Sequence, residues 1–328
     1  MKIPAFFPRI FQPWVYQGKR RAKRYFEGWY YKLVDSGGQH IWSVIPGISF
    51  SDDPHAFVQL IEGRTGQTDY IRYPREAFKY RKDRLDIRVG ENHFTDAGLS
   101  LDVSGERFSL EGQVEFRNTR PYPQSLLAPG IMGWYTYVPF MECYHGVVSM
   151  DHRLEGSLAN GQTVMDFSGG KGYIEKDWGS SMPSDWVWMQ CNDFEGDIPV
   201  SLMISIARIP WLRSHFPGFL SFVMVGDRVY PFATYNRSRV EKLEILQDRV
   251  HLVMVHRRFR LDVTVHRRNT GELRAPRQGE MERTIHESLD AVIDLRLEKR
   301  NGELLYRGGG THAGLEVVGD VSQYHSQG

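Results

Sequence analysis

Apolar and polar residues alternate in steps of two along most of this chain, the spacing at which successive strand side chains change faces. The run from Tyr25 to Asp35, YFEGWYYKLVD, ends at a Ser36-Gly37-Gly38 turn and is followed by HIWSVIPGISF, which predicts a hairpin with a glycine-containing loop. Further short runs, HAFVQLIEG, TDYIRY and the stretch from Asp83 to Phe116, follow at small intervals, with Gly90, Gly98 and Gly105 near the turns. That spacing is the signature of an antiparallel sandwich or barrel. Only Arg75 to Arg81 reads as briefly helical. Arg120 to Pro139 is rich in proline, glycine and aromatics and lacks a clean period, so it is expected to be a long ordered loop and a candidate lid.

Beyond Asn192 a second set of alternating runs begins, from DIPVSLMISIARIPW to the run ending GLEVVG, with its own turns at Gly226-Asp227, Gln247-Asp248 and Asn301-Gly302. The expected architecture is therefore all-β, with two antiparallel barrel or sandwich domains over residues 1–185 and 186–328, joined at a Gly/Ser/Pro loop. Gly308 to Gly310 lie within strand-like sequence and read as a bulge or bend.

Charge and composition narrow the partners. Lys plus Arg (41) and Asp plus Glu (40) nearly cancel, which argues against nucleic acid, while an aromatic share of 13% points to a neutral apolar or aromatic small molecule. The basic cluster from His256 to Arg268 alternates with Phe259, Leu261, Val263 and Val265 and reads as the solvated face of an amphipathic hairpin. Cys143 and Cys191 are too few for a disulfide framework and fit reduced thiols of a cytoplasmic protein. No His/Cys cluster has metal spacing, so neither metal nor cofactor is expected. The amino terminus has the reverse order of a secretory signal. Its aromatics Phe6, Phe7, Ile10, Phe11 and Trp14, with Lys19 to Arg24 after them, either dock on the body of the protein or make a peripheral membrane contact through residues 5–24.

Candidate chemistry concentrates between Gly169 and Asn192, GGKGYIEKDWGSSMPSDWVWMQCN. As a strand, its first part puts Tyr173, Glu175 and Asp177 on one face, followed by Trp178 at the turn; its second part puts Trp186, Trp188 and Gln190 on one face. Acids beside indoles suit a proton donor for an apolar substrate, because an apolar setting keeps a carboxyl protonated near neutrality; the alternative is that Trp186 and Trp188 are core and Asp177 a turn residue. In the first strand Tyr25, Glu27, Trp29 and Tyr31 share a face, making Glu27 a second acid candidate unless Arg24 or Lys32 pairs it. The strand MECYHGVVSM puts Glu142 and Tyr144 on one face and Cys143 and His145 on the other, with His145 read as a hydrogen-bonded barrel residue. No Walker loop, dinucleotide-binding glycine motif, H-E-x-x-H or nucleophile elbow occurs.

Five segments, YFEGWYYK, MECYHG, GKGYIEKDWGSSMPSDWVWMQ, APRQGEM and GLEVVG, fall in order along nearly the whole chain and resemble the tocopherol cyclase family. The resemblance implies two lipocalin-like β-domains, akin to carotenoid hydratases. It also implies a cofactor-free reaction in which a trisubstituted alkene of a prenylated hydroquinone is protonated and the phenol oxygen captures the tertiary cation. It does not carry a catalytic assignment, so the site residues remain those read above. Asp177 is the expected proton donor, Glu175 the neighbour that raises its pKa, and Glu27 the competitor. Trp29, Tyr31, Glu142, Tyr144, Tyr173, Trp178, Trp186, Trp188 and Gln190 are the expected substrate contacts. Desolvated indoles would stabilise the cation by about 0.5–2 kcal/mol each. The competing reading is a lipocalin-like carrier of an apolar ligand, in which the acids are merely paired.

Overall fold

The computed structural model describes residues 9–18, 24–139, 141–211, 214–321 and 324; Phe6, Phe7 and residues 19–23 of the amino-terminal stretch lie outside them. Among the described residues the regular elements are all β-strands apart from three short 3-10 turns, Arg75–Ala77, Gly133–Tyr137 and Thr234–Asn236. The first of these falls in the segment that reads as helical, but proline at position 74 and the apolar Phe78 and Tyr80 return the chain to strand after three residues.

Two compact units are present. In the first, a 12-stranded sheet runs, neighbour by neighbour, through Thr68–Pro74, His55–Glu62, Ile41–Phe50, Tyr25–Val34, Lys171–Gly179, Cys143–Asn160, Ser109–Arg117, Gly98–Ser104, Asn92–Thr95, Asp86–Val89 and Phe78–Tyr80, with Thr163–Asp166 hairpinned onto Cys143–Asn160. Neighbours in sequence are mostly neighbours in space. The exception matters for the site, because the first strand pairs with Lys171–Gly179 across most of the unit. The sheet curves until its two halves share one core, in which Trp42 meets Phe108 at 4.9 Å and Tyr31 meets Phe94 at 5.6 Å between ring centroids. Strand Gly98–Ser104 keeps the alternation of a one-sided sheet, with Leu99, Leu101 and Val103 inside and Ser100, Asp102 and Ser104 out. Tyr25–Val34 and Lys171–Gly179 are instead buried on both faces.

The second unit holds an 11-stranded antiparallel sheet ordered Arg228–Ala233, Ser214–Val225, Val200–Trp211, Trp186–Cys191, Leu304–Val318, Glu280–Lys299, Phe259–His266, Arg249–Val255 and Arg239–Ile245. Asp193–Phe194 pairs to it off this path, and Gly271–Arg277 pairs with Glu280–Lys299 in a hairpin that, from Glu272 to Thr284, is counted with the first unit. Its core is aliphatic and aromatic, with Val187, Met189, Leu202, Ile204, Phe232, Leu252, Val263 and Leu295 among its members. The fold is thus two antiparallel all-β domains, as the alternation implies, of the lipocalin-like kind that the family resemblance implies.

The division is not a single cut at 185/186. The first unit runs to Met182 and regains Glu272–Thr284, while Gly63–Gly66 goes to the second. The returning hairpin is held through its main chain, which explains why apolar patterning does not reveal it. Gln59 Oε1 accepts the Arg274 N–H at 2.7 Å, Gln59 Nε2 donates to the Arg274 carbonyl at 3.3 Å, and Ser49 Oγ donates to the Gly279 carbonyl. Gly279 sits at φ +85, where a Cβ would come within 2.7 Å of Arg24 Cα, so the hairpin tip needs glycine. Replacing Gln59 by Leu removes both amide contacts. It is expected to cost about 1–3 kcal/mol and to speed hydrogen exchange at the Arg274 amide, whereas unchanged exchange there would mean that the hairpin is held by other contacts.

Candidate active site

Strand Lys171–Gly179 lies between Tyr25–Val34 and Cys143–Asn160, and its register sets the geometry of everything near it. Asp177 faces His145 on one neighbour and Gly28 on the other; Glu175 faces Val147 and Tyr30. Residues directly opposite share a face, so Tyr173, Glu175 and Asp177 line up as alternation predicts and His145 joins them. His145 Nδ1 is 2.9 Å from Asp177 Oδ1, and its Nε2 is 3.5 Å from Glu175 Oε2. The Tyr173 hydroxyl donates to Glu175 Oε2 at 2.7 Å. The backbone N–H of His145 meets the Met132 sulfur at 3.2 Å, which brings the long loop expected as a lid against the histidine. That loop carries the exposed apolar side chains Leu126, Leu127, Trp134 and Tyr137.

The cluster is buried but not sealed. Glu175 is 5% exposed and Asp177 21%. On the strand opposite Asp177, a Cβ added to Gly28 would meet Ile45 Cγ2 at 3.8 Å, an ordinary contact, so a methyl group is tolerated there.

Burial alone would lower the His145 pKa, yet the carboxylates of Asp177 and Glu175 outweigh it and raise the imidazole to about 9, so it is an imidazolium at neutral pH. Burial, then Glu175, pushes the Tyr173 phenol well above its ordinary range and keeps it a donor. Burial likewise pushes the Cys143 thiol up, with Asp177 and Glu142 adding to the effect; its sulfur lies 3.9 Å from Asp177 Oδ1 and is a protonated neighbour, not a thiolate. Glu142, half-buried at the strand end, has its carboxyl raised by burial. One imidazole and two carboxylates whose ligand atoms lie within 4.8 Å of one another also match the donor set of a small divalent-ion site. A proton and a metal ion would compete there for the same nitrogen.

The opposite face of the strand holds a different constellation, and it corrects the expectation that Glu27 sits with the other acids. Glu27 is fully buried inside the first unit and forms an ion pair with Lys176, which is equally buried. It also accepts the Gln17 and Gly18 N–H groups at 2.8 and 3.0 Å and the Tyr25 hydroxyl at 2.7 Å. A carboxylate so enclosed and so completely hydrogen-bonded presents no free oxygen to a substrate. Burial pulls Lys176 down to about 8 despite Glu27, which leaves it charged at neutrality. Its ammonium lies 4.7 Å from the ring centroids of both Trp29 and Trp178.

Trp29 and Tyr31 are core residues. The Trp29 indole N–H donates to the Trp14 carbonyl at 2.8 Å, and its ring stacks on Phe78 at 6.2 Å. Tyr144 stacks on Trp178 at 5.5 Å, and its hydroxyl donates to the Val138 carbonyl at 2.8 Å. Of the amino-terminal aromatics, Trp14 packs against this core and Phe11 meets Tyr137 edge-on at 6.5 Å.

Trp186, Trp188 and Gln190 share a face of Trp186–Cys191, as expected, but that strand belongs to the second unit. They point away from the core formed by Val187, Met189 and Cys191, and are buried all the same. Trp186 Nε1 donates to Glu316 Oε2 at 2.5 Å, and Gln190 Nε2 donates to Asn192 Oδ1 at 3.2 Å. Sequence reasoning missed His145 as a partner of the acids. The only local signal was that Cys143 and His145 share a face, and nothing local says that this face meets Asp177.

Because the folded-state pKa of His145 is raised from 6.5 to about 9, its contribution to stability is full below the unfolded value and is lost as pH rises through the folded one. Stability is therefore expected to fall by about 3 kcal/mol between pH ~6.5 and ~9 from this group. In denaturant titrations across that range the slope should disappear in His145→Gln; an identical slope in the variant would place the imidazole outside the ion cluster.

Known proteins bear on this arrangement in two ways. Over 64 residues, 20% of this chain and 14% of the relative, the sequence is 31% identical to the chloroplastic tocopherol cyclase of Zea mays, so the chain matches only a small part of that protein's length. In fold it is similar to CghA, solved with Sch210972, at a TM-score of 0.57 and 10% identity over 90% of this chain and 89% of the other. It is also similar to kievitone hydratase from Nectria haematococca, at 0.50 and 12% over 89% and 88%. Residues 108–319 match the tocopherol cyclase-like family profile along a span that contains His145, Glu175 and Asp177, and the chain belongs to that family.

Proposed function

We propose that this protein is an acid catalyst that protonates an alkene of an apolar prenylated or terpenoid substrate and thereby cyclises or hydrates it. The observation that carries this reading is the imidazolium of His145 hydrogen-bonded to Asp177, the cluster member with an open side. The imidazolium is the proton source: as its Nδ1 proton passes to Asp177, Asp177 delivers a proton to the less substituted alkene carbon, the π pair becomes the new C–H bond, the adjacent carbon is left a tertiary cation, and His145 becomes a neutral imidazole. The Asp177 carboxylate regained in this step lies beside the cation and balances its charge. A phenol oxygen of the substrate then captures the cation and its proton returns through Asp177 to His145; if water captures it instead, the product is an alcohol. Either way the proton is regenerated and no redox step arises. Glu175, held by Tyr173, lies at ion-pair distance from the far ring nitrogen without a hydrogen bond to it, so the hydrogen-bonded path from His145 runs through Asp177. Leu126, Leu127, Trp134 and Tyr137 give an apolar substrate a place to partition beside the site.

The family relationship supports the substrate class, and the tocopherol cyclase of Zea mays supports cyclisation by its name. A carrier that binds without reaction is the second reading, favoured by the complete pairing of Glu27; it gives no reason for an imidazolium held between two acids.

Incubation with a prenylated hydroquinone followed by mass spectrometry separates the cases. Cyclisation conserves mass and shifts retention, hydration adds water, and a carrier returns the ligand unchanged. Asp177→Asn is expected to abolish turnover with ligand affinity kept within a few-fold, and His145→Gln, which removes the proton source, to slow it about 10²- to 10⁴-fold. Wild-type activity should fall as pH rises through the titration of His145, and chelators should leave it intact. Undiminished turnover in Asp177→Asn would remove the proton donor. Loss of activity on chelation with recovery on adding a divalent ion would assign the cluster to a metal instead.

A further inference from the structure

At one end of the second unit three hairpin turns converge, and each delivers a cation. The turn between Ser214–Val225 and Arg228–Ala233 brings Arg228, the turn before Phe259–His266 brings Arg258, and the turn after Glu280–Lys299 brings Arg300, with Lys299 pairing in register with Phe259. The last two turns are tied together by a hydrogen bond from Arg300 N–H to the Arg258 carbonyl at 2.9 Å. Between them is a cavity of about 360 Å³ whose lining includes all four cations and no acid. Its aromatic part is the buried Tyr230 and the half-buried Phe259, packed edge to face at 5.0 Å.

The charges are not spent on one another's neighbours. Lys299 pairs with Glu303 at 2.8 Å. Among the described residues, Arg228, Arg258 and Arg300 make no ion pair, although elsewhere in this unit Arg260, Arg296 and Arg249 all do. The guanidinium of Arg228 lies 5.9 Å from the Tyr230 ring. The positive field registers on a nearby group: burial, then Arg258 and Arg257, holds the His256 imidazole below its ordinary range. Three guanidinium forks with free donors, set around an aromatic floor, are the donor set for an oxyanion of two or more charges attached to an apolar group.

We propose that this cavity is a binding site for a phosphate-type group, monoester or diphosphate, whose apolar end lies on Tyr230 and Phe259. The site is independent of the acid cluster in the first unit. Its ligand is either a soluble phosphate-bearing molecule or a lipid headgroup, and the two sources can be told apart with the full chain.

Calorimetric titration with inorganic pyrophosphate tests the first source, and co-sedimentation with phosphatidylcholine vesicles with and without phosphatidate tests the second. Each charge-assisted contact removed is expected to weaken binding about tenfold, so Arg258→Gln with Arg300→Gln should cost about 100-fold. Arg249→Gln with Arg268→Gln, two cations outside the cavity lining, is the charge-matched control and should bind as the wild type does. Pyrophosphate binding that the double variant loses supports a soluble ligand; binding confined to phosphatidate vesicles and lost in the same variant supports a headgroup. If neither probe binds, or the double variant and the control bind alike, the proposal is overturned.

Discussion

A lysine ammonium cannot be taken wholly out of water without compensation, at a cost of several kcal/mol, and the way Lys176 is compensated organises the first unit. It pairs with Glu27 from the first strand, donates to the main-chain carbonyls of Pro13 and Val15, and lies between the rings of Trp29 and Trp178. These contacts fix the amino-terminal segment against the interior and lock the register of two strands distant in sequence. A slip of one residue would turn every side chain of Lys171–Gly179 to the other face. The same pair that satisfies a buried charge inside therefore holds Tyr173, Glu175 and Asp177 outside that core, opposite His145.

Strand content, alternation and the two-domain scale are legible in the sequence because they depend only on nearest neighbours. So are the shared faces of Tyr173, Glu175 and Asp177 and of Trp186, Trp188 and Gln190. Pairing partners are not legible. Glu27 lies in an aromatic stripe that looks like an acid in an apolar wall, and its cation comes from position 176 rather than from Arg24 or Lys32. His145 lies 32 residues from Asp177 and meets it only through the sheet register. The basic cluster shows the same limit, since the cavity takes Arg258 from it and recruits Arg228 and Arg300 from turns elsewhere.

The direction of each hydrogen bond in the acid cluster is fixed by the groups that make it. Tyr173 and the His145 imidazolium are donors and both carboxylates accept, so the proton that the cluster has to give is the one on the imidazolium. The Cys143 sulfur lies 3.9 Å from Asp177 Oδ1 and 3.8 Å from the Met182 sulfur, which adds volume beside the carboxylate without a competing base. A proton lost from such a site is most directly replaced through Asp177, the cluster member that solvent reaches most.

The hairpin Glu272–Thr284 comes late in the chain yet belongs to the first unit, clasped by Gln59 and Ser49. Recombination between relatives is constrained by that arrangement. A chimera made by exchanging everything after residue 185 would import a foreign hairpin to be gripped by native side chains, with the glycine at 279 required to fit against Arg24 and Phe50. Parts of this protein that are inherited as a block are therefore not the parts that fold as one, and a crossover that respects the fold must leave residues 272–284 with the parent that supplies the amino-terminal unit.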